Sequence, residues 1–191
     1  MKWDWLEKKK SWRDLPNKLI IVGSAHSGSS LLESYIGGHP DVNMIHEDTT
    51  LQWTKGYGKL YNGTKILLGI QVQKENKLKF YGKLYYKMVG KKLLRPFPTC
   101  TYSLKDIYAK VIYIKRRNGQ LRSLTEKHGI TFKQAARYLV EAKRQMDGVE
   151  HFLVYYEDLC DNPEEVLKDV CRYLNLPYKK KMLKGKNWVY I

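Results

Sequence analysis

Apolar positions along this chain fall into short blocks separated by polar, glycine-bearing turns. Residues 18–22 run through Ile20, Ile21 and Val22 without a polar break before Gly23, the pattern of a strand buried on both faces. After a small polar loop the spacing becomes helical: Leu31, Leu32, Tyr35 and Ile36 share one face, and Gly37-Gly38 ends the run. Residues 41–45 (DVNMI), 65–72 (KILLGIQV), 110–115 (KVIYIK) and 151–156 (HFLVYY) read as further strands. One helix is expected from Gln120 to His128-Gly129. Another is expected over 131–147, with Ala135, Ala136, Leu139, Val140 and Met146 setting its apolar period. The last strand leads into DNPEEVLKDVCRYLNL, a helix capped by Asp161 or Asn162. Pro163 lies in its first turn and Glu164-Glu165 at its positive end.

Strands alternating with helices predict a P-loop-like three-layer α/β sandwich, a central parallel sheet flanked by helices. Ligands of such sheets lie beyond the carboxyl ends of the strands. Chemistry is therefore expected after Gly23, Lys115 and Tyr156-Glu157. With 191 residues, no repeat and no Pro/Gly/Ser-rich linker, one domain over 1–191 is expected, with 1–17 as an N-terminal extension.

Composition narrows the partners. Against 19 Asp and Glu stand 35 Lys and Arg, a formal net charge of +16, which favours a polyanion. The lysines are spread without the arginine–aromatic clustering of an RNA platform, so nucleic acid is not the expected partner. No apolar run approaches the roughly 20 residues that span a bilayer, and MKWDWLEKKKSWRDLPNK has no apolar signal core. Cys100, Cys160 and Cys171 form no CxxC pair, so neither zinc nor a disulfide framework is expected, and a reducing, cytoplasmic setting is. Cys160 and Cys171 read as helix-packing residues.

The loop Gly23-Ser24-Ala25-His26-Ser27-Gly28-Ser29-Ser30 nearly matches the phosphate-binding G-x-x-x-x-G-K-[ST], but Ser29 stands where the lysine belongs. In triphosphate enzymes that lysine reaches the β- and γ-phosphates. Without it, a single phosphate held by backbone amides and the hydroxyls of Ser27, Ser29 and Ser30 is the sensible chemistry. The plain alternative is a strand–turn–helix corner whose glycines serve packing.

The segment VGSAHSGSSLLESYIGGHPDVNMIHEDT resembles the 5′-phosphosulfate loop of the sulfotransferases, usually G-x-[PR]-[RK]-S-G-T-[ST]-L-L. Its HPDV and downstream Glu47 are similar in content and spacing to tyrosylprotein and bacterial members. KVIYIKRRNGQLRS resembles the strand–Arg…Ser element that holds the cofactor's 3′-phosphate. FLVYYEDLCDNPEEVLKDVCRYLNLP resembles the family's YEDL…P…L…FLGLP segment. The likeness spans about residues 18 to 178. It implies the sulfotransferase fold, 3′-phosphoadenosine-5′-phosphosulfate (PAPS) as donor, adenosine 3′,5′-bisphosphate as product, and no metal.

By the same resemblance, Ser24, Ala25, His26, Ser27, Gly28, Ser29 and Ser30 cradle the cofactor. His26 stands where the family carries the Arg or Lys that stabilises the departing phosphate oxygen; otherwise it merely fills a loop that binds without turnover. Glu47 matches the acceptor-activating base, with His46 in reserve, or both simply cap a following helix. Arg116 with Ser123 is expected at the 3′-phosphate. The family's Arg and Ser are usually eight apart, whereas Arg116 precedes Ser123 by seven and Lys115 by eight, and Arg117 and Arg122 lie close by. Tyr156 is expected at the adenine, or in the core, with Glu157 and Asp158 organising local hydrogen bonds. Lys184, Gly185 and Lys186 resemble the C-terminal RKG element that covers the cofactor. The acceptor, a hydroxyl or amine, is expected on an acidic glycan, a peptide tyrosine or a small molecule. The alternatives are a non-catalytic basic protein binding nucleotide or nucleic acid on this scaffold, and a P-loop kinase.

Overall fold

Leu19, Ile20, Ile21 and Val22 have no exposed surface. In a strand this demands cover on both faces, because successive side chains alternate. They form β1 (Lys18–Ser24), the middle strand of a five-stranded sheet. The structure, a computed structural model, describes residues 17–45, 59–68, 104 and 108–185. After β1 come α1 (Ser29–Gly37), β2 (Val42–Ile45), β3 (Tyr61–Leu68), β4 (Lys110–Lys115) and α2 (Gln120–His128). Then follow α3 (Phe132–Met146), β5 (Phe152–Tyr155), α4 (Tyr156–Asp161), α5 (Pro163–Tyr173) and a 3₁₀ turn, Lys180–Lys184.

The strand order is β2-β3-β1-β4-β5, and every pairing is parallel. Leu19, Ile21, Ile112, Ile114 and Val154 pack against Leu32 and Ile36 of α1 and Leu167, Val170 and Cys171 of α5. On the other face, Ile20, Val22, Val111 and Tyr113 meet Ala142 and Met146 of α3. This is the expected three-layer α/β sandwich. β2 and β3 lie to one side of β1, and β4 and β5 to the other. The reversal puts the switch point, where such sheets bind ligands, at the carboxyl ends of β1 and β4. No helix among the described residues is long and apolar enough to cross a membrane.

Three elements and one cysteine differ from expectation. β3 begins at Tyr61 rather than at residue 65, which makes Lys65 a mid-strand residue; positions 69–72 lie outside the described residues. Gly63 permits the earlier start, since a Cβ there would collide with Met44 Sδ and lie 3.1 Å from Leu19 Cβ. Tyr61 anchors it by donating its hydroxyl to the Leu174 carbonyl at 2.9 Å. On α3, capped by Thr131 and Gln134 in a capping box, the buried stripe is Ala135, Ala142 and Met146. Val140 falls about 140° from Ala135 at 100° per residue and is exposed. β5 stops at Tyr155, and Tyr156 opens a short helix instead of ending the strand. Finally, Cys171 is buried as a packing residue should be, but Cys160 is exposed.

Candidate anion-binding site

Between Ser24 and Ser29 the chain turns from strand to helix. The Ser27 amide donates to the Ser24 carbonyl at 3.1 Å and closes the turn. His26 and Gly28 take left-handed backbone, φ 61 and 92, a region that histidine visits more readily than most residues other than glycine. Ser27 turns inward: a Cβ on Gly23 would collide with its buried Oγ, which has no hydrogen-bond partner among the described residues. The hydroxyl expected to face a phosphate therefore lies beneath the loop, in the space that Gly23 leaves open.

Gly28 is the N-cap of α1, and having no side chain it caps nothing; the first turn carries no acid. The first helical bond runs from the Leu32 amide to the Gly28 carbonyl at 3.1 Å. The amides of Ser29, Ser30 and Leu31 thus have no acceptor within the helix. Ser29 is buried and Ser30 exposed. The edge of the Tyr156 ring closes over this corner: a Cβ on Gly28 would collide with Cδ2 and come within 3.0 Å of Cε2.

The start of α2 repeats the arrangement. Its N-cap, Gly119, is left-handed at φ 72, with no side-chain cap and no acid in the first turn. Gln120 Nε2 donates to the Ala25 carbonyl at 3.4 Å, and Leu124 packs with Ala25, so this second helix start lies against the loop. Ser123 is half-buried, and its amide makes the first helical bond, to Gly119 at 2.9 Å. At the other described α-helices the starts are occupied. α3 has its capping box, while α4 and α5 carry acids in their first turns. Among the described α-helices, only the two starts at the switch point present bare amides and an uncompensated positive dipole end.

The exit of β4 supplies the basic residues. Arg117 pairs doubly with Asp158, Nη1 to Oδ1 at 2.5 Å and Nη2 to Oδ2 at 2.7 Å, and lies over the Tyr155 ring. The Glu157 carboxylate accepts from the Arg117 amide at 3.0 Å and the Asn118 amide at 3.2 Å. Burial opposes ionisation of Glu157, but those amide bonds outweigh it and hold the carboxyl below its usual range. The hydrogen bonds from Arg117 do the same for Asp158. Glu157 and Asp158 therefore tie α4 to the end of β4, and Arg117 is committed to that clamp. Arg122 pairs with Glu126 at 2.6 Å. Among the described residues neither Lys115 nor Arg116 forms a close ion pair with a carboxylate, although the charge of Arg116 helps to hold Glu157 ionised. Lys115 lies over Tyr113, a residue of the α3 face, whereas Arg116 lies 4.7 Å from the centroid of Tyr156. Through that ring Arg116, and not Lys115, is joined to the loop. The Tyr156 phenol is held above its ordinary range, first by a hydrogen bond with Cys160.

Beneath the loop lies a feature that the sequence did not reveal. Lys65 of β3 is 1% exposed, and its Nζ donates to Ser30 Oγ at 2.7 Å. Glu33 of α1, 0% exposed, places Oε2 3.6 Å from the same nitrogen. The signal available was a lone lysine in the strand-like TKILL run, opposite an acid in the apolar LLES stretch.

Gly185, at φ 65 after the 3₁₀ turn, packs on α1; a Cβ there would lie 2.5 Å from Ser34 Oγ. Lys184 and Gly185 are thus beside α1, and Lys186 lies outside the described residues. So do His46 and Glu47, which follow β2 in the chain. β2 is parallel to β3 and β3 to β1, so β2 ends at Ile45 on the same edge of the sheet as Gly23.

No family model matches the chain, and no curated protein does. Solved structures match its architecture. The sulfotransferase domain of the Synechococcus PCC 7002 olefin synthase superposes with a TM-score of 0.56 at 18% identity, covering 96% of this chain and 80% of that one. Mouse sulfotransferase SULT7A1, solved in complex with PAP, gives 0.51 at 14% identity, covering 88% and 62%. The sulfotransferase domain from the curacin biosynthetic pathway gives 0.50 at 18% identity, covering 88% and 77%. The chain has the sulfotransferase fold.

Proposed function

We propose that this chain is a sulfotransferase that moves the sulfuryl group of PAPS to an acceptor hydroxyl or amine. The observation that carries the reading is the pair of glycine-capped helix starts against one loop, with Arg116 brought to them by Tyr156. A donor with two separate phosphate groups needs two anion sites, and bare helix starts are such sites. The start of α1 suits the 5′-phosphate; the start of α2, with Ser123 and Arg116, suits the 3′-phosphate. PAP, adenosine 3′,5′-bisphosphate, in the mouse neighbour supports a ligand of this class.

When bound, PAPS supplies an activated sulfuryl group on its 5′-phosphate. The α1 amides hold that phosphate in place. His26, in the left-handed turn of the loop, would offer an N–H or a positive charge to the bridging oxygen of the bound donor. Glu47, or His46 beside it, takes the acceptor's proton as the new bond to sulfur forms. The +16 charge favours an acidic acceptor, such as a glycan, a tyrosine-bearing peptide or a charged small molecule.

Calorimetric titration tests the reading. Adenosine 3′,5′-bisphosphate should bind without magnesium and more tightly than ADP or ATP, and Arg116→Ala should weaken it. Equal or tighter binding of ATP would overturn the assignment. Glu47→Gln should then abolish sulfuryl transfer while sparing the bisphosphate affinity; a non-catalytic binder would have no turnover to lose.

A further inference from the structure

We infer that Lys65 is a positioning residue for the phosphate loop, setting Ser30 as a hydrogen-bond donor and standing in from a neighbouring strand for the lysine that the loop lacks. The inference rests on the reading that the start of α1 holds a phosphate. Its foundation is the donor inventory. An ammonium group has three donors and no acceptor, whereas a serine hydroxyl has one proton and two lone pairs. In the 2.7 Å contact between Lys65 Nζ and Ser30 Oγ the lysine must donate and Ser30 must accept. The Ser30 proton is thereby left to point away from Lys65, and no acceptor takes it among the described residues. Ser30 is exposed at the mouth of the loop, while Lys65 is buried below it. The proton is thus available on the solvent side of the same helix start that carries the bare first-turn amides of α1.

The buried charge is sustained by Glu33, 3.6 Å away on the next turn of α1. Lys65 and Glu33 neutralise each other, so the loop gains an oriented and polarised donor more than a net charge. A phosphate oxygen that accepts from Ser30 would extend the Lys65–Ser30 hydrogen bond to the ligand, with the Glu33–Lys65 ion pair behind it and each contact polarising the next.

The experiment compares two probes, adenosine 3′,5′-bisphosphate and adenosine 3′-monophosphate, which differ only in the 5′-phosphate. Lys65→Met and Ser30→Ala should each weaken bisphosphate binding roughly 10- to 100-fold, the usual value of a hydrogen bond to a charged group. Both should leave 3′-monophosphate binding unchanged, and the two substitutions together should cost little more than either alone. Since Lys65→Met strands a buried carboxylate, Lys65→Met with Glu33→Gln is measured alongside; it removes the pair as a unit and should lose the same increment. A purely structural lysine would weaken both probes equally, and that result overturns the inference, as does wild-type bisphosphate affinity in Ser30→Ala. Both results leave the proposed function intact. Failure of the wild-type chain to bind the bisphosphate would instead overturn the proposed function, and this inference with it.

Discussion

Alanine at Gly28 tests whether the corner between β1 and α1 is built as described. Two costs add there. The φ of 92 is a left-handed conformation, and an L side chain pays about 1–2 kcal/mol to adopt it. The new Cβ would also collide with the Tyr156 ring, and overpacking of this kind costs about 1–3 kcal/mol. The sum is roughly 2–5 kcal/mol, a large share of the stability of an ordinary domain. Gly119 is the natural control, because it shares the left-handed backbone at φ 72 but has nothing within 4 Å of where a new methyl group would sit. Gly119→Ala should therefore cost only the backbone part, about 1–2 kcal/mol. Urea denaturation of both variants measures the difference. Adding Tyr156→Ala to Gly28→Ala should show a favourable coupling of about 1–3 kcal/mol, because the collision disappears with the ring. Equal costs for the two glycine substitutions, with no coupling to Tyr156, would refute a ring seated on the loop. The link from Arg116 to the phosphate site would then fall as well.

Other consequences are simpler to check. The Glu157 and Asp158 carboxyls are both held below their usual range. Their contribution is present above the ordinary carboxylate pKa of about 4 and is lost as pH falls through the depressed folded-state values. Stability measured by urea denaturation should decline below about pH 5, and Glu157→Gln with Asp158→Asn should flatten that decline. His39 is buried, takes the Asp41 amide at Nδ1 (3.1 Å) and gives Nε2–H to the Pro177 carbonyl (2.9 Å). His39→Ala removes both bonds, whose partners lie on exposed residues, and should cost about 1–3 kcal/mol in the same assay; a change below a few tenths would mean that water replaces the ring at no loss. Burial pushes the Cys171 thiol up to about 11, whereas Cys160 is exposed. Iodoacetamide followed by peptide mapping should therefore label Cys160 in the native protein and Cys171 only after unfolding.

Burial on both faces explains why so much of the sheet was legible in the sequence. LIIV and VIYI leave no polar position to misassign, so β1 and β4 emerged within two residues of their observed ends. The glycines of the loop and the proline and acids that open α5 are local signals, fixed by backbone geometry at the same place in the chain. Contacts across the chain were not legible in this way. The sequence favours Arg116 near the end of β4 but leaves Lys115, Arg117 and Arg122 close enough to blur the choice, and only the fold shows that Arg117 is taken by Asp158, a residue on another element. Lys65 and Glu33 are the deeper case. Each reads as a surface residue by itself: Lys65 as the polar start of a strand, Glu33 as the solvated side of a helix. Each would indeed be too costly to bury alone. Each is compensated across the fold by the other, and Lys65 also by Ser30. Neither residue's placement can therefore be inferred from its own neighbourhood, and a motif search confined to the loop finds a missing lysine where the fold has put one underneath.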